Sequence, residues 1–179
     1  VCRTITPRQA AARYRAIVRG ASAGELESAA RWYSDAENHA RQVADMLGAP
    51  TDIGAAVIAA YSPQATWSDN LRRAYLFASG KWTGGILATP KLMADVATRG
   101  ADALNGPKVH AFAKAIAGDD DAVVIDLWMA RAARLERDSV TAAQYRLLSA
   151  AVRRVAEQEG LTPRTCQALI WIRQRGKAD

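Results

Sequence analysis

Apolar residues recur every three to four positions through almost the whole chain, and the breaks in that rhythm carry helix-capping residues. Thr6-Pro7 places a capping hydroxyl before a proline at the first helical position, and Gly20 closes that helix. Ser22 with Glu25 reads as a capping box opening a long helix to Leu47, stopped by Gly48. Asp52 leads into the apolar run Ile53 to Ala60, which Ser62-Pro63 breaks. Thr66 and Asp69 look like a second capping box, for a helix ending near Gly80. Thr89-Pro90 and Gly100 bracket the next helix. Two short ones follow, Pro107 to Ala117 and Asp126 to Leu135, then Thr141/Gln144 to Glu159 and Thr162-Pro163 to Gly176. The single β-looking run, Ala122 to Ile125, has no partner strand and reads as a buried extended connector. The pattern predicts an all-α fold of about nine helices in two small lobes around a groove, within one domain over residues 1–179. The N- and C-terminal helices are expected to pack together.

Composition narrows the function classes. The chain holds 24 basic and 18 acidic residues, a formal charge of +6, which favours polyanionic partners without proving one. Two cysteines, Cys2 and Cys166, stand far apart and form no CxxC or CxxH pair, so zinc and iron–sulfur ligation are not expected, nor is any other cofactor. Residues 1–20 are studded with arginine and lack the apolar core of a signal peptide, and no window approaches a membrane span. A cytoplasmic monomer with no membrane partner is the expectation.

The chemistry concentrates in two places. In Leu104-Asn105-Gly106-Pro107-Lys108 a glycine-bearing turn runs directly into a helix, whose first N–H groups can meet a phosphate. Lys108 falls in the first helical turn, where the positive end of the helix dipole disfavours a second cation. It is either a solvated surface lysine or a lysine with a task. Eighteen positions on, Asp126 follows Val123-Val124-Ile125. A carboxylate there serves equally as a structural N-cap or as a fixed, partly desolvated group able to stabilise an oxocarbenium-like transition state.

These segments resemble the helix-hairpin-helix (HhH-GPD, endonuclease III-like) DNA glycosylase superfamily, in which a hairpin ending in Gly-x-Lys precedes, by about eighteen residues, a Val-Asp motif opening a helix. Here the matching residues are Gly106-Pro107-Lys108 and Val124-Ile125-Asp126-Leu127-Trp128-Met129-Ala130-Arg131. Upstream, Ile58-Ala59-Ala60-Tyr61-Ser62-Pro63-Gln64-Ala65-Thr66 is similar to the family's Leu-Ser-x-Gln-Ala/Thr-Thr segment. The resemblance spans about residues 53–135, with the hairpin between about 92 and 117. The hairpin is two residues shorter than the family's and keeps one glycine, and Pro107 offers no N–H. The departures suggest a trimmed, phage-type relative.

The resemblance implies DNA as partner and cleavage of the N-glycosidic bond of an extruded base. Asp126 would stabilise the sugar cation, and Lys108 would attack C1′ as an amine and add lyase activity. The two would face one groove within about 10 Å. Gln64 would lie at the DNA face and fill the gap left by the extruded base. Two alternatives stand beside this: a phage-type enzyme that hypermodifies thymine in DNA on the same fold, and a DNA-binding protein without catalysis.

Other residues are candidates by position. Trp67 can stack a base or pack in the core, and Tyr61 is a candidate for the pocket wall. Core packing is expected of Trp32, Trp82, Trp128 and Trp171. Asn70, Gln167 and Trp171 lie on apolar helix stretches, as satisfied core groups or readers of a base edge. Neither His39, with Asp35 alone four residues away, nor His110, with no acidic or cysteine residue at that spacing, suggests a metal site, and His110 is placed to touch backbone phosphate. Arg72-Arg73, Arg131, Arg134, Arg153-Arg154 and Arg173-Arg175 are scattered over several helices, any of which could offer phosphate contacts.

Overall fold

In a computed structural model of the chain, residues 5–135 and 139–176 are described. Cys2 lies outside them. Among the described residues the protein is all-α, with no strand. Its helices are α1 (Pro7–Arg19), α2 (Ala23–Leu47), α3 (Thr51–Tyr61), α4 (Trp67–Ala78), α5 (Pro90–Arg99), α6 (Pro107–Ile116), α7 (Leu127–Ala132), α8 (Ala142–Glu159) and α9 (Pro163–Arg175). A 3-10 turn, Gly100–Ala103, follows α5 and was not expected. None of the described helices is long and apolar enough to cross a membrane by itself.

The caps explain most boundaries. Thr6 and Thr141 make complete capping boxes with Gln9 and Gln144, and Ser22 does so with Glu25. The expected box at Thr66 is only half formed. Thr66 Oγ1 accepts from the Asp69 amide at 3.3 Å, but the Asp69 carboxylate turns outward to Arg72 and Arg73. α7 is shorter than expected. It ends at Ala132, and Arg134 takes a left-handed backbone (φ 53°) that stops the turn.

The chain divides into two compact units, one of Val1–Tyr33 with Asp120–Ala178 and the other built on Ser34–Asp119. The boundary falls inside α2. In the first unit α1 packs on α8 and α9, as expected of the terminal helices, and α7 packs on α9. Its core holds Tyr14, Met129, Leu148, Cys166 and Ile170. The connector 122–125 is buried and extended without a partner strand. The Tyr145 hydroxyl takes the strand's place, donating to the Val123 carbonyl at 2.8 Å and accepting from the Ile125 amide at 3.4 Å.

In the second unit α3 is the central helix, buried from Ile53 through Tyr61 and packed by α4, α5 and α6. Gly54 lets α2 and α3 approach closely, since a Cβ there would sit 2.1 Å from the Ala40 carbonyl oxygen and 2.8 Å from the Ala44 nitrogen.

Of the tryptophans expected in the core, Trp82 is 50 % exposed. It lies in the segment 81–88, where Trp82 and Ile86 face out while Thr83 and Gly85 face in. Trp32, Trp128 and Trp171 are half-buried, as is Trp67. Each keeps part of its ring at the surface of its unit.

Candidate functional site

Asp126 is half-buried at the N-cap of α7, in the first unit. Its Oδ1 accepts the Met129 amide at 2.9 Å, and its Oδ2 accepts the Trp171 indole N–H at 2.9 Å. The carboxylate is therefore fixed by two donors from different helices, with one lone pair per oxygen left over. Trp171 in turn lies against Trp32 (centroids 6.3 Å apart) and carries the Arg175 guanidinium 4.8 Å above its ring. Trp128, two residues past Asp126, is covered the same way by Arg131 at 4.8 Å. Trp171 thus answers the question its sequence left open within its own unit: its N–H is satisfied by Asp126. Gln167 is likewise a satisfied core group, accepting from the Tyr33 hydroxyl at 2.7 Å.

Burial raises the pKa of Tyr14, Tyr33 and Tyr145 above the ordinary phenol value, and the charge of Asp126 adds to each. All three stay protonated and serve as fixed hydrogen-bond groups, Tyr14 donating to the Met129 carbonyl at 2.9 Å. Burial also pushes the Cys166 thiol up to about 12, with Glu159 adding to the shift, so it is an inert core sulfur.

The other candidates belong to the second unit. Gly106 caps α6 with a left-handed φ of 98°, Pro107 occupies the first helical position, and Lys108 follows, exposed. Lys108 makes no ion pair or hydrogen bond among the described residues. Phe112 stands one turn beyond Lys108 on the same stripe of α6 and meets Trp67 edge-on, centroids 6.4 Å apart. Trp67 also meets His39 edge-on at 6.3 Å. His39 Nδ1 lies 2.8 Å from the Tyr75 hydroxyl, which donates to Gln42 at 2.6 Å. The unit thus joins Trp67 to the Lys108 stripe through Phe112 and adds His39, which no sequence argument singled out.

Gln64 is exposed and left-handed (φ 57°), a conformation uncommon for a residue with a Cβ. Asn70 is buried three residues after Trp67, its backbone N–H bonded to Thr66 and its amide oxygen without a partner among the described residues. Tyr61 does not offer its hydroxyl to a ligand: it is buried and donates to the Thr83 carbonyl at 3.0 Å. His110 has an acidic neighbour that its helical spacing did not reveal, Asp102 at 3.6 Å.

Charge is divided unequally. Residues 34–119 hold eight basic and eight acidic side chains, whereas 1–33 with 120–178 hold sixteen and nine. The basic excess belongs wholly to the unit of Asp126. Much of the arginine complement also has partners. Arg72 and Arg73 pair with Asp69 at 2.7 and 2.8 Å, Arg173 pairs with Glu25, and Arg15 and Arg19 pair with Glu159 at 2.7 and 2.9 Å. Among the described residues no three His, Cys, Asp or Glu side chains gather as a metal site.

Residues 2–178 match the model of the family DUF7178, a family of unknown function, and the chain belongs to that family. No curated protein and no solved structure matches it.

Proposed function

We propose that this member of the DUF7178 family is a DNA base-processing enzyme that extrudes a base and cleaves its N-glycosidic bond. The observation that carries the reading is Asp126: a half-buried carboxylate clamped by two N–H donors in the unit that holds the basic excess. A fixed carboxylate suits an oxocarbenium-like transition state, because a negative charge held beside the sugar stabilises the cation without reorganising as charge develops. The surrounding positive charge favours a polyanion.

In this reading the C1′–N bond breaks and the base leaves with its electron pair, gaining a proton. Water or the Lys108 amine forms the new bond to C1′. With the amine, the sugar ring opens to a Schiff base that borohydride reduces to a stable adduct. Gln64, already held in its exposed left-handed turn, is the residue for the gap left by the base. Asn70 and Trp67, at the start of α4, are candidates for base contacts.

A second reading, DNA binding without catalysis, is favoured by the same carboxylate, since both of its oxygens already perform structural tasks. Incubation with duplexes carrying uracil, 8-oxoguanine, thymine glycol or 5-hydroxymethyluracil separates the two. The enzyme reading predicts release of free base from at least one and a borohydride-trapped adduct lost in Lys108→Gln. Binding to all duplexes with no release from any is the result that leaves only the second reading.

A further inference from the structure

We infer that the phosphate grip of this protein is the arginine stripe of α8, where Arg146, Arg153 and Arg154 hold the backbone of double-stranded DNA, and not the hairpin before α6. The inference rests on the reading that the partner is DNA.

α8 buries Leu148, Ala151, Val152, Val155 and Ala156 and turns the opposite face to solvent. That exposed face carries Arg146, Arg153 and Arg154, with Ala142 and Ala143 before them and Ala150 between. Methyl side chains beside long cations let a backbone approach closely. The stripe has one exposed acid of its own, Glu157, and the helix's last carboxylate, Glu159, is taken by Arg15 and Arg19. Arg146 and Arg154 have no ion pair or hydrogen bond among the described residues. Arg153 donates to the Asp121 backbone carbonyl at 2.7 Å, which orients its guanidinium.

Spacing favours a duplex. Arg146 and Arg154 are eight residues apart, about 12 Å along the helix axis. That is close to the roughly 12 Å width of the major groove.

Position favours the same conclusion. The connector that delivers Asp126 runs beside α8, held at Asp121 by Arg153 and at Val123 and Ile125 by Tyr145. Arg146 is the next residue after Tyr145, and Asp126 the next after Ile125. A phosphate on Arg146 would therefore hold the strand near the carboxylate that the reaction uses. The hairpin offers less. Pro107 has no N–H, Lys108 is the single cation of its first turn, and its unit is balanced at eight charges of each sign.

The test is fluorescence anisotropy of a labelled 20-base-pair duplex between 50 and 200 mM KCl, on the wild type and on Arg146→Gln, Arg154→Gln, the double variant and Lys108→Gln. Each side chain is exposed, and circular dichroism checks folding. The slope of log affinity against log salt should fall by about 0.9 for each arginine removed and by about twice that for the pair. Unchanged slopes in the arginine variants, with a reduced slope in Lys108→Gln, would overturn the inference and leave the DNA reading standing. Absence of salt-dependent binding by the wild type would overturn the DNA reading itself. Tighter binding to a single strand of equal length, with the same arginine dependence, would overturn the duplex assignment.

Discussion

Replacing Asp126 by asparagine tests how the carboxylate is built into the fold. Asparagine caps a helix about as well as aspartate, so the bond to the Met129 amide can survive. The second bond cannot. With the amide oxygen on Met129, the new NH2 group faces the Trp171 indole N–H, and two donors meet at a spacing now 2.9 Å. A hydrogen bond to a charged group contributes about 1.5–3 kcal/mol, and the lost charge at the start of α7 contributes about 0.3–1 kcal/mol more. The expected destabilisation is about 2–4 kcal/mol, or roughly 4–16 °C in melting temperature for a chain of this size. In a Cys2→Ser background the buried thiol of Cys166 reports opening of this unit, because it reacts with a maleimide only when exposed. Urea denaturation followed by that labelling and by circular dichroism gives the free energies. The double cycle with Trp171→Phe should return a coupling of about 1–2 kcal/mol. An Asp126→Asn protein within about 0.5 kcal/mol of wild type, additive with Trp171→Phe, would refute the clamp.

Gly54→Ala should destabilise the second unit by about 2 kcal/mol or more despite alanine's better helix propensity, because its Cβ would strike the α2 backbone; Gly24→Ala, with nothing closer than 4.0 Å, should be neutral or slightly stabilising in the same urea titration. Glu159, whose pKa is lowered chiefly by the hydrogen bond from Arg15, and Glu25, lowered chiefly by the Ser22 amide, contribute stability that is complete above the ordinary carboxylate range and lost as pH falls through their depressed values. The urea midpoint should therefore fall below about pH 4.5, and less steeply in Glu159→Gln; an equal slope in that variant would remove Glu159 from the account.

The helices were legible because their signals are local. Thr6-Pro7, Thr141/Gln144 and Gly160 act on the residues beside them, so spacing alone locates the ends. The half-formed box at Thr66 shows where that logic stops: Asp69 had a better offer from two arginines one turn on. The site was legible only in its local part. Asp126 as an N-cap and Lys108 in a first turn follow from helical geometry. The Asp126–Trp171 bond spans forty-five positions and the His39–Tyr75 contact thirty-six, and no periodicity encodes either. Trp82 was misjudged for a related reason. Its segment alternates inward and outward with a period of two, whereas the expectation of burial came from residue type alone. The charge count is also only partly informative, since the +6 of the whole chain sums one neutral unit and one strongly basic unit.

The most direct test of the central claim is single-turnover base release by the wild type and by Asp126→Asn, on whichever lesion duplex the panel selects. It should be run at a temperature where circular dichroism finds both proteins fully folded, with free base quantified by mass spectrometry. The account predicts release by the wild type and a loss of about a hundredfold or more in Asp126→Asn, the scale of a positioned acid–base group, with duplex affinity retained. Release at the same rate by both folded proteins would contradict it and leave Asp126 as the cap of α7 and the anchor of Trp171.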